Sequence, residues 1–155
     1  MRKLVKKTNE KDDEDWSIGY ATFVEGGKDG SKICVRCKID GLESEDQAML
    51  DTGSTYTVIG RDVVQTIEHK LEDCGKGNIE SCYGPISGKL VKLNMTLISE
   101  GGCDLDIKSG LALVSEDWDG RTIVLGYRGF LDKIRIAIDP GNNPEKQVFY
   151  FGTCE

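Results

Sequence analysis

Ala48-Met49-Leu50-Asp51-Thr52-Gly53-Ser54-Thr55-Tyr56-Thr57-Val58-Ile59 is the stretch on which the fold reading turns. An apolar run delivers an acidic residue to its C-terminal end. A tight turn follows, and a second, β-branched apolar run leads away. A carboxylate held at a rigid, partly desolvated turn is one whose protonation its surroundings can tune. Each residue of Asp51-Thr52-Gly53-Ser54 has a physical task available. Asp51 offers the carboxylate. Gly53 lacks a Cβ, so the backbone can turn tightly and approach a partner closely. The Ser54 hydroxyl is expected to donate to a carboxylate oxygen. Thr52 can hold a neighbouring backbone through its hydroxyl. Taken as three letters, Asp-Thr-Gly also suits an ordinary solvated turn, because Asp and Gly both favour turns.

The pattern on either side is that of a β-rich chain. Residues 16–24 alternate, with Ile18, Tyr20, Thr22 and Val24 on one face, and 25–30 form a turn. Residues 33–39 alternate again, placing Ile33, Val35, Cys37 and Ile39 on one side before a turn at Asp40-Gly41. Residues 47–50 form the strand that ends at Asp51. Beyond the motif, 61–71 read as a short helix, since Val63, Val64, Ile67 and Leu71 fall at helical spacing. Residues 78–98 read as a hairpin with Tyr83-Gly84-Pro85-Ile86-Ser87-Gly88 at its tip. Residues 105–114, the run Thr122-Ile123-Val124-Leu125-Gly126, the alternation Ile134, Ile136, Ile138 and residues 148–151 supply further strands. A helical turn is expected at 130–134 and a turn at Asp139-Pro140-Gly141-Asn142. Eight or nine strands with two short helices make a mainly-β domain over 16–155, preceded by a charged arm over 1–15.

Composition narrows the function classes. A chain of 155 residues is one domain large enough for a core. Its 19 glycines against 3 prolines suit many tight turns. The net charge of −7 speaks against nucleic acid and against anionic membranes as partners, since both recruit excess Lys and Arg. No apolar run approaches the roughly 20 residues of a membrane span. The basic segment 1–7 has no apolar stretch after it and does not read as a secretory signal. The six cysteines are therefore expected to be reduced thiols of a cytoplasmic protein. Cys34 and Cys37 have zinc-like spacing, but residues three apart on a strand face opposite ways, and Cys74 and Cys82 make no matching second pair. No metal and no cofactor is expected. His69, the only histidine, lies beside Glu68 and Lys70 and reads as a surface residue. Trp118 sits among Glu116, Asp117 and Asp119, which suggests a loop with a substrate or dimer contact as one use.

Leu50-Asp51-Thr52-Gly53-Ser54-Thr55, followed by Val58-Ile59 and a helix, resembles the active-site signature of the retropepsin-like aspartic proteases. Ile123-Val124-Leu125-Gly126 with Phe130-Leu131 resembles the second element of that family, an apolar strand that passes beside the catalytic loop and whose glycine permits close packing. Gly126 follows Asp51 by 75 residues (126 − 51), leaving room for a flap between them. The resemblance covers roughly residues 31–140. It implies a closed acid-protease-like barrel, an Asp51 catalytic carboxylate supported by Thr52, Gly53 and Ser54, a second element at Leu125 and Gly126, and a flap in which Tyr83, Gly84 and Ile86 cover a peptide substrate.

The chemistry so implied needs two carboxylates, one as general base on water and the other, protonated, as acid toward the scissile carbonyl. Two carboxylates in contact share a proton and titrate as a pair, as the two aspartates of pepsin-type dyads do. Asp29-Gly30, Asp119-Gly120 and Asp139-Pro140-Gly141 lack the threonine and the apolar strand, so this chain holds one such motif. The second carboxylate is expected from a second copy of the chain, with Asp51 of each at a two-fold axis, and the resemblance implies that Thr52 of each chain hydrogen-bonds across it. The leading expectation is thus a homodimeric aspartic endopeptidase, a hydrolase acting on peptides or proteins. The alternative is a peptide-binding or dimerisation module of the same fold without proteolysis. A β-rich domain in which Asp51 merely opens a turn is the third reading.

Overall fold

A computed structural model describes residues 19–23, 32–82, 84–120, 122–139, 142 and 147–153. The charged arm 1–15, residues 16–18 and 24 of the first expected strand, the turn 25–30, Tyr83, and Pro140 and Gly141 of the turn 139–142 lie outside the described residues. Eleven strands occur among those that are described, more than the eight or nine expected. They are β1 (Gly19–Phe23), β2 (Cys34–Ile39), β3 (Asp46–Leu50), β4 (Thr57–Gly60), β5 (Glu72–Ser81), β6 (Gly84–Leu97), β7 (Gly101–Gly102), β8 (Leu105–Ser115), β9 (Ile123–Leu125), β10 (Ile134–Asp139) and β11 (Gln147–Thr153).

Seven of them form one sheet in the order β2-β3-β9-β4-β8-β6-β5. A further antiparallel pairing of β2 with β6, Cys37 opposite Leu97 and Ile39 opposite Met95, joins the ends of the first six. The sheet is therefore a closed six-stranded barrel with β5 left outside it. Closure pairs the edges of these six strands, and the outer edge of β5 alone stays open in this sheet among the described residues. The remaining strands make a second sheet in the order β10-β11-β1-β7.

Alternation in the sequence becomes inside and outside of the barrel. Val35, Cys37 and Ile39 are buried on β2 while Arg36 and Lys38 are exposed, as the period of two requires. These residues join Ile59, Met95, Leu97, Leu105, Ile107, Ile123 and Leu125 in one core, which continues to Phe130, Phe149 and Phe151 of the second sheet and its approach. The rings of Phe149 and Phe151 lie 6.0 Å apart, inclined at 43°. Burying one such side chain stabilises by about 1.5–3 kcal/mol. An exposed ion pair such as Lys92–Glu72 at 2.7 Å adds little, because water screens both charges, so apolar burial sets the stability here.

A second, separate cluster forms on the other face of the same strands. Val58, Leu113 and Val124 alternate with Ile59, Ala112, Val114 and Leu125, so they point out of the barrel. There they pack with Ile86, Leu90 and Trp118. The region β9-β4-β8 is thus covered on both faces, by the core within and by the β5–β6 hairpin without.

The helix expected over 61–71 is shorter. One α-helical turn, α1 (Arg61–Val64), is followed by a 3₁₀ turn at Glu68–Lys70. Val64 and Ile67 are buried as the spacing demanded. The run of β-branched residues Val63, Val64, Thr66 and Ile67 disfavours helix, and no side chain caps the N-terminus at Gly60. Leu71 already has extended backbone and leads into β5. The helical turn expected at 130–134 is a 3₁₀ turn at Leu131–Lys133. No helix among the described residues is long and apolar enough to cross a membrane.

Burial makes a prediction about the thiols. Cys37 is fully buried, and burial, aided by the nearby Asp46, pushes its pKa up to about 12. Cys74, Cys82 and Cys103 are exposed. At pH 8 about one Cys37 in 10⁴ would be thiolate, the reactive form. Iodoacetamide labelling read by mass spectrometry should modify the three exposed cysteines and spare Cys37 until denaturant is added. Equal labelling of Cys37 in the native protein would contradict the burial.

Candidate active site

β3 and β4 follow each other in the chain but are not neighbours in the sheet. β9 lies between them, parallel to β3 (Ala48–Ile123, Met49–Val124, Leu50–Leu125) and antiparallel to β4 at Val58–Val124. The connection 51–56 must therefore arch over the end of β9. Asp51 begins that arch, and Gly126 lies directly beneath it.

The arch is held by backbone hydrogen bonds at both ends. The Asp51 amide donates to Leu125 O at 3.0 Å, and the Ser54 amide donates back to Asp51 O at 3.2 Å. The Tyr127 amide donates to Ser54 O at 2.8 Å, and the Arg128 amide to Thr55 O at 2.9 Å. Beneath, the Gly126 amide donates to the hydroxyl of the buried Thr57 at 3.0 Å. A side chain at 126 has no room, because a Cβ there would fall on the Tyr56 carbonyl and 2.6 Å from Thr57 N. The glycine is needed for this close approach of two backbones.

The carboxylate itself is aimed by one direct contact. The Gly53 amide donates to Asp51 Oδ1 at 2.9 Å, which fixes that oxygen and leaves Oδ2 for other partners. A Cβ on Gly53 would lie 3.2 Å from the same oxygen. Ser54 does not donate to the carboxylate as expected. Its hydroxyl donates to Tyr56 O at 2.8 Å and braces the arch instead. Thr52, Gly53 and Thr55 are exposed, while Asp51 and Ser54 are half-buried. The aspartate thus opens to solvent on a fixed backbone.

The hairpin differs from the sequence expectation in length and in tip. Its strands are β5 and β6, paired from Glu72–Lys92 to Ser81–Gly84, with Cys82 and Tyr83 between them. Gly84 (φ +103°) begins β6 directly after the turn. Residues 85–88 are strand rather than tip, and Ile86 is 3% exposed, packed into the second cluster. It covers Val58, Leu113 and Val124, the apolar surface that flanks the Asp51 arch. Tyr83 lies outside the described residues. Midway along the hairpin the Ser115 hydroxyl donates to Ser87 O at 2.6 Å and accepts from the Asp117 amide at 3.1 Å.

Trp118 is not in an open loop. It lies in a 3₁₀ turn, Glu116–Trp118, is 7% exposed, and its indole N–H donates to Thr122 O at 2.9 Å. Its acidic neighbours point outward and the ring turns in, so it lines the second cluster. His69 is exposed. Cys34 is half-buried and Cys37 fully buried.

A cleft of about 1010 Å³ runs along the base of the hairpin between Arg61, Asp73, Lys76, Asn78, Lys89 and Asp117. Arg61 closes one side through ion pairs with Glu68 (3.0 Å) and Glu116. The Asp73 carboxyl is held below its ordinary pKa, first by the Gly75 amide and then by Lys89. Asp51 does not line this cleft. Its charged walls differ from the apolar surface beside the arch, and only the latter adjoins the aspartate.

No family model matches the chain, and no curated protein matches it. Among solved structures, it is similar to a retropepsin-like aspartic protease from Rickettsia conorii, with a TM-score of 0.53 and 15% identity, over 90% of this chain and 98% of that one. It is also matched to the protease of simian foamy virus (mac), with a TM-score of 0.39 and 17% identity, over 61% of this chain and 87% of that one. The first likeness, with the closed barrel, shows a retropepsin-like fold.

Proposed function

We propose that the protein is an aspartic endopeptidase active as a homodimer, in which the Asp51 carboxylates of two chains share one site. The observation that carries this is the Asp51 arch. A carboxylate is pinned by the Gly53 amide, on a backbone locked to β9, at the solvent-facing end of the barrel. In the pair, one Asp51 takes a proton from water while the other, protonated, donates to the scissile carbonyl. Thr52, exposed beside each Asp51, would hydrogen-bond across the axis of that dimer.

An extended peptide would lie over Val58, Leu113 and Val124, in the place that Ile86 now covers, so the hairpin must lift to admit it. That floor is apolar and favours apolar side chains next to the cut. The described cysteines are free thiols, which suits a reducing, cytoplasmic setting. Metal chemistry is not part of the reading, and the partners are a second copy and a peptide.

Binding of a statine-type transition-state analogue tests the reading. Calorimetric titration should give one inhibitor per two chains, because two carboxylates grip one hydroxyl. One inhibitor per chain, or none bound at saturating concentration, would sink the shared site.

A further inference from the structure

We infer that Tyr127 is the anchor of the contact between two copies of this chain; the inference rests on the paired-Asp51 reading above. Tyr127 is 56% exposed, one of two large apolar side chains so exposed among the described residues. An exposed ring on a loose loop would signify little. This one is built in. Its amide donates to Ser54 O, and its carbonyl accepts from the Asp132 amide at 2.9 Å. The next residue, Arg128, donates to Thr55 O and forms a parallel bridge with Tyr56. The backbone on both sides of the ring is thus fixed to the arch that carries Asp51. A ring presented this way loses little freedom on binding, which is the property of an interface anchor.

The surroundings and the charge suit a second copy. Thr52, Gly53, Thr55 and Arg128 are exposed around the arch, a polar rim for one apolar anchor. Each chain carries a net charge of −7, so two copies repel over most of their surfaces. Among residues 52–55 and 127–128 the one formal charge is the cation Arg128. A two-fold contact made through the exposed residues 52–55 would bring close to the axis the Tyr127 backbone that is bonded to Ser54 O. Strand β11 has β10 on one side and β1 on the other within its own chain, so it offers a partner no free edge. The competing contact is the outer edge of β10, which carries Ile138, the other exposed large apolar residue.

Sedimentation equilibrium over a dilution series decides between them. Losing a hot-spot side chain weakens binding about tenfold or more. A two-fold interface loses two rings per dimer, so Tyr127→Ala should raise the dimer Kd about a hundredfold. Tyr127→Phe and Ile138→Ala should stay close to wild type. Tyr127→Lys, at an exposed position where substitution is tolerated, should also dissociate, and circular dichroism should show each variant folded. Folded Tyr127→Ala and Tyr127→Lys proteins that dimerise like wild type would overturn the inference, as would dissociation by Ile138→Ala alone. Asp51→Asn separates the two claims, since it should remain dimeric while cleavage is lost. A Tyr127-dependent dimer without cleavage would defeat the protease reading and leave the interface standing.

Discussion

Asp51→Asn is expected to abolish peptide cleavage while leaving the fold intact. The two halves of that expectation have different causes. Asparagine keeps an oxygen at the Oδ1 position, and so keeps the acceptor that the Gly53 amide uses at 2.9 Å. The surrounding bonds of the arch run between backbone atoms and do not involve the side chain. Stability should therefore change by less than about 1 kcal/mol. The chemistry, in contrast, loses both partners at once, because each chain of the dimer carries the substitution. General acid and general base catalysis each contribute about 10²–10⁴-fold. Their joint loss should lower kcat by about 10⁴-fold or more, to the limit of a peptide cleavage assay. A pure, folded Asp51→Asn protein that cleaves at the wild-type rate would remove Asp51 from the mechanism.

The same variant reports on the sharing of the site. If each active site needs one Asp51 from each chain, mixed dimers are as inactive as pure variant dimers. Refolding equal amounts of wild type and Asp51→Asn together should then leave about a quarter of the wild-type activity, the fraction of dimers with two intact chains. A site complete within one chain would leave about half. The distinction does not depend on the substrate chosen.

The features legible in the sequence are those where one face of an element is buried. Strand β2 was readable because Val35, Cys37 and Ile39 enter the core while Arg36 and Lys38 stay in water. The run Ile123-Val124-Leu125-Gly126 was readable because both faces of β9 are covered and its glycine has a steric duty. Strand β5 left no such trace. It hangs outside the barrel, is exposed along most of its length and pairs through its backbone, so Glu72–Ser81 carries charge and glycine where alternation would show. Trp118 was misread for a related reason. A single 3₁₀ turn has no period, and its three acidic neighbours gave the only signal. At Ser54 the hydroxyl had two acceptors within three residues, and local backbone geometry chose Tyr56 O over the Asp51 carboxylate. Residue types alone do not rank such alternatives.

Gly126→Ala should be the most destabilising single-methyl change at the site. The added carbon would meet the carbonyl of Tyr56 and the amide nitrogen of Thr57, which are backbone atoms and cannot rotate away. Relief requires β9 to move from the arch. That movement lengthens the bonds from Asp51 to Leu125 O (3.0 Å) and from Gly126 to the Thr57 hydroxyl (3.0 Å). Thr57 is fully buried, so no water replaces the lost partner. Overpacking costs about 1–3 kcal/mol, and an orphaned buried polar group about 1–3 kcal/mol more. A loss of about 3 kcal/mol or more is a large share of the 5–15 kcal/mol that holds a typical domain. It should lower Tm by about 6–12 °C for a chain of this size. Gly53→Ala provides the contrast. Its Cβ would lie 3.2 Å from Asp51 Oδ1, a side-chain atom that can give by a few tenths of an ångström. That variant should melt close to wild type yet cleave more slowly, because the carboxylate is re-aimed. If Gly126→Ala instead melts within a degree of wild type, the close passage of β9 beneath the arch is not what demands glycine there, and the rigid seat it gives Asp51 loses its cause.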